Sequence, residues 1–176
     1  MLNSLQKGSC HKGMKGSQNR RPGPIFLKVM SHAGWFSGRI VADLVNDVER
    51  KLIVSDNWEI FPAARSALLE FGGIQVIQNG PGANAAREPF EINPLLAMGE
   101  SDRFVPFELV LGKKLYPMGE AATGHYFLAI AEDGQTFLLM HNLVLVGDSF
   151  VDALENLITG VRPGIIYNLP GGRDRM

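Results

Sequence analysis

Four short, nearly unbroken apolar runs constrain this chain more than any other feature. Leu115–Met118, Tyr126–Ala131, Phe137–Met140 and Leu143–Val146 follow one another across short connections. Runs of this length, bounded by turn signals, read as strands rather than helices. Glu132-Asp133-Gly134-Gln135 carries an Asp-Gly hairpin pair, and His141-Asn142 makes the next tight reversal. Short reversals require antiparallel neighbours, because a parallel crossover needs about a dozen residues or more. A sheet with one wet face would alternate apolar with polar residues. These runs do not, so both faces of the sheet need cover.

The flanking sequence offers that cover. Ile40, Val41, Leu44, Val45, Val48 and Leu52 recur at helical spacing with Asp43, Asn46, Asp47, Glu49 and Arg50 between them. Phe61-Pro62 opens a second helix through Ala63, Ala64, Leu68 and Leu69, and Gly72-Gly73 stops it. Ile74–Ile77 then reads as a short strand ended by the turn Asn79-Gly80-Pro81-Gly82. Glu88–Ile92 alternates as a second strand, with Pro89 suggesting an edge position. A short helix is expected over Phe107–Leu111, stopped by Gly112. The expected fold class is therefore α+β: N-terminal helices, a mixed or mostly antiparallel sheet of about six short strands, and a closing C-terminal helix.

The closing helix bears on function. Gly147-Asp148-Ser149 looks superficially like a serine-hydrolase block, yet His11, His32, His125 and His141 all precede Ser149. A Gly-x-Ser-x-Gly elbow would need glycine where Val151 stands. As an N-cap, Ser149 explains every neighbour. Asp152 completes a capping pattern, Asp148 and Asp152 suit the positive end of the helix dipole, and Phe150, Leu154, Leu157 and Ile158 form the buried stripe before Gly160.

Other chemistry is equally thin. His125 and His141 border adjacent strands, but two histidines without Cys or paired carboxylates make a poor metal site. The Asn79–Gly82 turn lacks the Gly-Lys-Ser/Thr ending of a phosphate cradle. Trp35, Phe36 and Arg39 form an aromatic–basic cluster whose simplest role is to anchor the first helix. No catalytic, cofactor-binding or metal-binding residue is expected, and no cofactor.

Residues 1–30 hold Lys7, Lys12, Lys15, Arg20, Arg21 and Lys28 and no acidic residue. They read as a flexible basic extension, with Met30 a natural opening for the ordered part. The expected organisation is an extension over 1–30, one domain over 31–163 and a tail over 164–176. A formal net charge of -1 gives no global pull toward nucleic acid or acidic membranes. The single cysteine, Cys10, excludes an internal disulfide framework and suits a reducing cytoplasm. No apolar run approaches the roughly 20 residues that span a bilayer.

The helix Phe61-Pro62-Ala63-Ala64-Arg65 through Leu68-Leu69-Glu70-Phe71-Gly72-Gly73 resembles the signature helix of the SUKH superfamily. Further pieces are similar to its third subgroup: Ala33–Arg39, Phe90–Leu95, Gly99–Phe104, Leu115–Glu120, Gly124–Leu128, and Leu145–Phe150 with Ala153–Leu157. The resemblance spans about 33 to 163, close to the expected domain. It implies a bacterial immunity protein that binds and neutralises a cognate polymorphic toxin, of nuclease or deaminase type, without catalysis of its own. The alternatives are a general interaction module of the same superfamily and, less in keeping with the residues, a small hydrolase. Against a basic toxin, the candidate partner-binding residues are Glu88, Glu91, Glu100, Asp102, Glu132 and Asp133.

Overall fold

The structure, a computed structural model, describes residues 22–162 and 164–168. The expected meander is its centre. Strands β3 (Leu115–Ala121), β4 (Tyr126–Ala131), β5 (Thr136–Leu139) and β6 (Asn142–Gly147) pair antiparallel in chain order. On one side β2 (Phe90–Glu91) and β1 (Gln75–Val76) extend the sheet, and on the other β7 (Ile165–Asn168) pairs with β6. Seven strands among the described residues thus lie side by side in sequence order. The α+β class and the antiparallel sheet are as expected. The additional strand, β7, falls in the segment read as a tail.

Pro89 does not mark an edge. β2 lies inside the sheet between β1 and β3, and Pro89 immediately precedes it. The carbonyl of Pro89 accepts a hydrogen bond from the Ala122 amide at 2.9 Å, and its missing N–H falls just before Phe90, the first paired residue of the strand.

Both faces of the meander are covered. In β4, Leu128, Ala129, Ile130 and Ala131 are all buried, as are all four residues of β5. Because strand side chains alternate, consecutive buried residues require a layer on each side. On one face Tyr116 meets Phe61 edge-on at 6.1 Å beneath helix α3 (Pro62–Phe71), and helix α5 (Phe150–Thr159) packs on β5 and β6. On the other, Phe127 packs at 5.5 Å against Phe104, which caps the start of helix α4 (Val105–Leu111).

Helix α2 (Ala42–Asp56) runs a turn beyond the last predicted apolar position. It stops where Asn57 adopts a left-handed conformation, φ 58°. Asparagine tolerates that region better than most residues, which makes it a glycine-like stop. Arg65 of α3 pairs with Glu49 and donates to Asn46 at 2.8 Å, fixing α3 on α2.

Helix α1 (Pro24–His32) occupies part of the segment expected to be an extension. Phe26 and Met30, four apart, are fully buried on one side of it. Met30 therefore lies within the ordered body rather than at its opening. The Gly23 amide donates to Glu155 at 2.9 Å, tying α1 to α5. The rest of the basic segment, residues 1–21, lies outside the described residues, as do residues 169–176.

The cluster around Trp35 is architectural. Its indole stacks on Phe71 at 6.2 Å, meets Phe26 edge-on at 5.9 Å and donates to Glu70 at 3.1 Å. Arg39 donates to the carbonyls of Glu70 and Gly72, both at 2.8 Å, and so satisfies the C-terminal end of α3. The loop after β1 does the same for α5: the amides of Asn84 and Ala85 both donate to the Gly160 carbonyl at 3.0 Å. A Cβ on Gly82 would approach the Gly160 Cα to 2.4 Å, so glycine there is required by close packing of two backbones.

Ser149 is a helix cap. Its hydroxyl accepts from the Asp152 amide at 3.1 Å and donates to the Asp152 carboxylate at 2.7 Å, and Gly160 ends the helix in a left-handed conformation. Ser149→Ala should lower the unfolding free energy by about 1 kcal/mol in urea titration, without changing the slope. Tyr116 tests the core in the opposite direction. Its hydroxyl is buried without a hydrogen-bond partner among the described residues, and burial, aided by the nearby Glu49 charge, pushes its pKa above the ordinary phenol range. Tyr116→Phe should therefore raise stability, by about 1 kcal/mol, because it removes an unsatisfied buried polar group and keeps the ring.

Candidate functional site

The six acidic candidates fall into three separate places. Glu88 and Glu91 flank or belong to β2. Glu88 pairs with Arg162, and Glu91 accepts from Asn93 at 3.0 Å. Glu100 and Asp102 lie at the 3-10 turn Ser101–Arg103, where Glu100 pairs with Arg103 at 2.7 Å and Asp102 is exposed. Glu132 and Asp133 occupy the β4–β5 turn, where Asp133 pairs with Lys113 and Glu132 is exposed. The pairings of Glu88, Glu100 and Asp133 make their charges partly internal business of the fold.

Carboxylates that sequence reasoning passed over complete a more coherent feature. A groove of about 580 Å³ lies between the α2–α3 connection, the start of α4 and the β4–β5 turn. Asp56, Glu59, Glu108 and Glu132 line it, and Lys114 is the one cation among its lining residues, leaving three uncompensated negative charges. The floor is aromatic: Trp58 and Phe104 meet edge-on at 5.2 Å beneath it.

The groove's acids are held in place to different degrees. Both carboxylate oxygens of Asp56 accept from the Gly99 amide, at 2.9 and 3.1 Å. Burial draws the Asp56 pKa up, but hydrogen bonds from Gly99, Ser55 and Ser101 together outweigh it and hold the carboxyl below its ordinary range. Glu108 accepts from the Leu115 amide at 2.9 Å and from Lys114 at 3.1 Å. Glu59 and Glu132 are exposed on the rim. The only earlier signal of this assembly was Glu132. Asp56 and Glu59 lie on a helix end and a connection, and only the tertiary fold brings them opposite α4.

Helix α4 separates this groove from a second hollow of about 430 Å³. His125 and His141, expected at neighbouring strand ends, both line that hollow, together with Phe107, Phe127 and Met140. The Arg103 guanidinium lies 5.8 Å from the centroid of the Phe127 ring. His125 donates from Nδ1 to the Ala122 carbonyl at 2.6 Å, which fixes its ring at the β3–β4 turn. Among the described residues, no group of three or more His, Cys, Asp and Glu side chains is arranged to hold a metal ion. Between the two hollows the outer side of α4 exposes Val105 and Leu109, the latter at 78%. The acidic groove and the histidine-lined hollow thus lie on either side of α4, whose outer side carries the apolar residues.

Glu91 and Glu120 stand directly opposite each other across β2 and β3. Burial, and then the Glu91 charge, raise the Glu120 pKa. A carboxylate with a raised folded-state pKa favours the fold in its protonated form, and that contribution is lost as pH rises from the ordinary carboxylate range through the raised value. Glu120→Gln should thus raise the thermal midpoint at pH 7 and leave it nearly unchanged at pH 4, a contrast that differential scanning calorimetry at the two pH values would measure.

No helix among the described residues is long and apolar enough to cross a membrane. Comparison with curated proteins and with solved structures finds no match. The family model for the SUKH-3 immunity protein, however, matches residues 25–160. The match begins inside α1 and ends at the glycine that closes α5, so it covers the two helical layers and six of the seven strands. It also contains both the acidic groove and the exposed ridge of α4. The chain belongs to the SUKH-3 immunity protein family.

Proposed function

We propose that this protein neutralises a cognate bacterial polymorphic toxin of nuclease or deaminase type, in the cytoplasm, by binding the toxin and without bond-making chemistry of its own. The observation that carries the reading is the acidic groove beside an exposed apolar ridge. Enzymes acting on nucleic acid present cationic surfaces to phosphates. A groove with carboxylates from Asp56, Glu59, Glu108 and Glu132 offers such a surface an alternative partner.

Division of labour follows from exposure. Val105 and Leu109 supply apolar contact area, while Glu59, Glu132 and the adjacent Asp102 steer the encounter from the rim. Asp56 and Glu108 are already hydrogen-bonded to backbone amides, so their carboxylates are oriented before the partner arrives. Orientation in advance reduces the ordering cost of association. Of the residues first selected by charge alone, Glu132 and Asp102 remain the strongest. Glu88, Glu91, Glu100 and Asp133 contribute chiefly through local pairs.

The test is co-expression with the toxin encoded beside this gene, paired with stopped-flow association of the purified proteins. Wild-type protein should rescue growth and abolish toxin activity. The double variant Glu59→Lys/Glu132→Lys should associate about tenfold more slowly or worse at low salt and lose protection. An Asp43→Lys change on α2, away from the groove, should leave both unchanged. If the wild-type protein leaves lethality intact, the toxin reading falls. If the wild type protects and the double variant protects and associates equally well, the acidic face is misassigned.

A further inference from the structure

The far edge of the sheet carries a second groove of opposite character. It runs between α1 and β1 and measures about 670 Å³. Among the described residues that line it, Lys28 and Arg87 are cationic and none is a carboxylate, while Ile25, Val29 and Ile77 give it apolar walls. Ile77 is 86% exposed, the most exposed large apolar side chain among the described residues. The Nε of Arg87 is buried without a hydrogen-bond partner among those residues.

The backbone beside this groove belongs to the end strand of the sheet. Among the described residues β1 ends the strand order, so one of its sides has no strand neighbour there. The Ile92 amide donates to the Ile74 carbonyl at 2.8 Å, and β1 pairs Gln75 with Glu91 and Val76 with Phe90. In an antiparallel ladder successive residues direct their N–H and C=O groups to opposite sides. Those of Val76 therefore face β2, and those of Gln75 and Ile77 face the groove. Native sheets normally blunt such an edge with charge, proline or a covering element. Here the strand is only two residues long and cations stand beside it, but its open side carries an exposed isoleucine and, among the described residues, no covering strand.

We infer that the α1–β1 groove is a strand-addition site that takes an extended acidic–apolar segment of a partner protein, paired to the free edge of β1. The backbone of such a segment satisfies the outward groups of Gln75 and Ile77. Its carboxylates meet Lys28 and Arg87, and its apolar side chains meet Ile25 and Ile77. Strand addition divides recognition in this way, with main-chain bonds giving affinity and side-chain pockets giving specificity. The nine residues of α1 make one wall about 13 Å long, enough for roughly four residues of an extended strand. In charge, this chain's own residues 1–21 complement the groove less well than an acidic segment does, since they carry cations and no carboxylate. Nucleic acid is the less suitable class, because phosphates would meet the cations but leave the strand edge unpaired.

The site is distinct from the acidic groove and does not depend on the toxin reading, so it is tested without the toxin. The probe is a fluorescein-labelled hexapeptide of alternating glutamate and valine, titrated into the full chain by fluorescence anisotropy. Saturable binding is expected, weakening as salt rises and by about tenfold or more in Lys28→Glu. The same peptide N-methylated at alternate residues should not bind, because it lacks the donors a strand edge requires. Hydrogen exchange should slow at Gln75 and Ile77 when the unmodified peptide is present. Because the N-methylated control alters only the probe, it remains decisive even if a protein variant is unstable. Absence of saturable binding at about millimolar peptide, equal binding of the methylated form, or indifference to Lys28→Glu would each overturn the inference. So would a single-stranded oligonucleotide that binds in place of the peptide.

Discussion

Double-sided burial of the central meander is the constraint on which everything else in this protein depends. β4 and β5 have almost no polar side chain to offer water on either face, so neither face can be left bare. Each apolar side chain taken out of water contributes roughly 1.5–3 kcal/mol, which makes an exposed face of such a sheet untenable. Helices α3 and α5 close one face, with α1 packed against α5, and the Phe104–α4 segment closes the other. The two covers are unequal in size. The seven-residue α4 covers the sheet with one side only, and on its other side Val105 and Leu109 face outward without another element over them among the described residues.

The same requirement explains where the hollows form. A long helix would seal the face beneath it from end to end. A short helix leaves a depression at each flank, and those depressions are the acidic groove and the histidine-lined hollow. Neither needed a dedicated cavity-forming element. The residues placed there then determined what each would attract. Asp56 and Glu108 are fixed by backbone amides, which holds two negative charges in a groove whose floor is aromatic. Ionised carboxylates next to an apolar floor are costly unless hydrogen-bonded, and these are.

Most of the fold was legible because its signals are local. The meander could be read from run length and reversal chemistry, α3 from Pro62 and Gly72-Gly73, and α5 from Ser149, Asp152 and Gly160. α1 was missed because its pattern is only nine residues long and lies against a stretch of glycine and basic residues. Pro89 misled because a proline just before a strand reads the same as one within an edge strand. The candidate site was much less legible. Glu59 and Glu108 are 49 positions apart in sequence, and nothing local relates them. Selecting acids by type found Glu132 and Asp102 but also Glu88, Glu100 and Asp133, whose nearest cations lie within the fold. Sequence reports the charge of a residue, whereas a binding face depends on which charges remain uncompensated after folding.

That distinction gives meaning to the near-zero net charge. A formal charge of -1 over the whole chain would suggest an electrostatically indifferent molecule. The fold instead separates the signs, with three uncompensated carboxylates beside α4 and Lys28 and Arg87 along the α1–β1 groove. Potentials at a surface depend on the local arrangement within about a Debye length, roughly 8–10 Å at ordinary salt, and not on the total. Two partners of opposite charge can therefore be attracted to different places on one nearly neutral body. Low net charge also limits indiscriminate attraction elsewhere on the surface. A protein whose task is to recognise one partner among many gains selectivity from charges that are concentrated and locally unbalanced while the sum stays small.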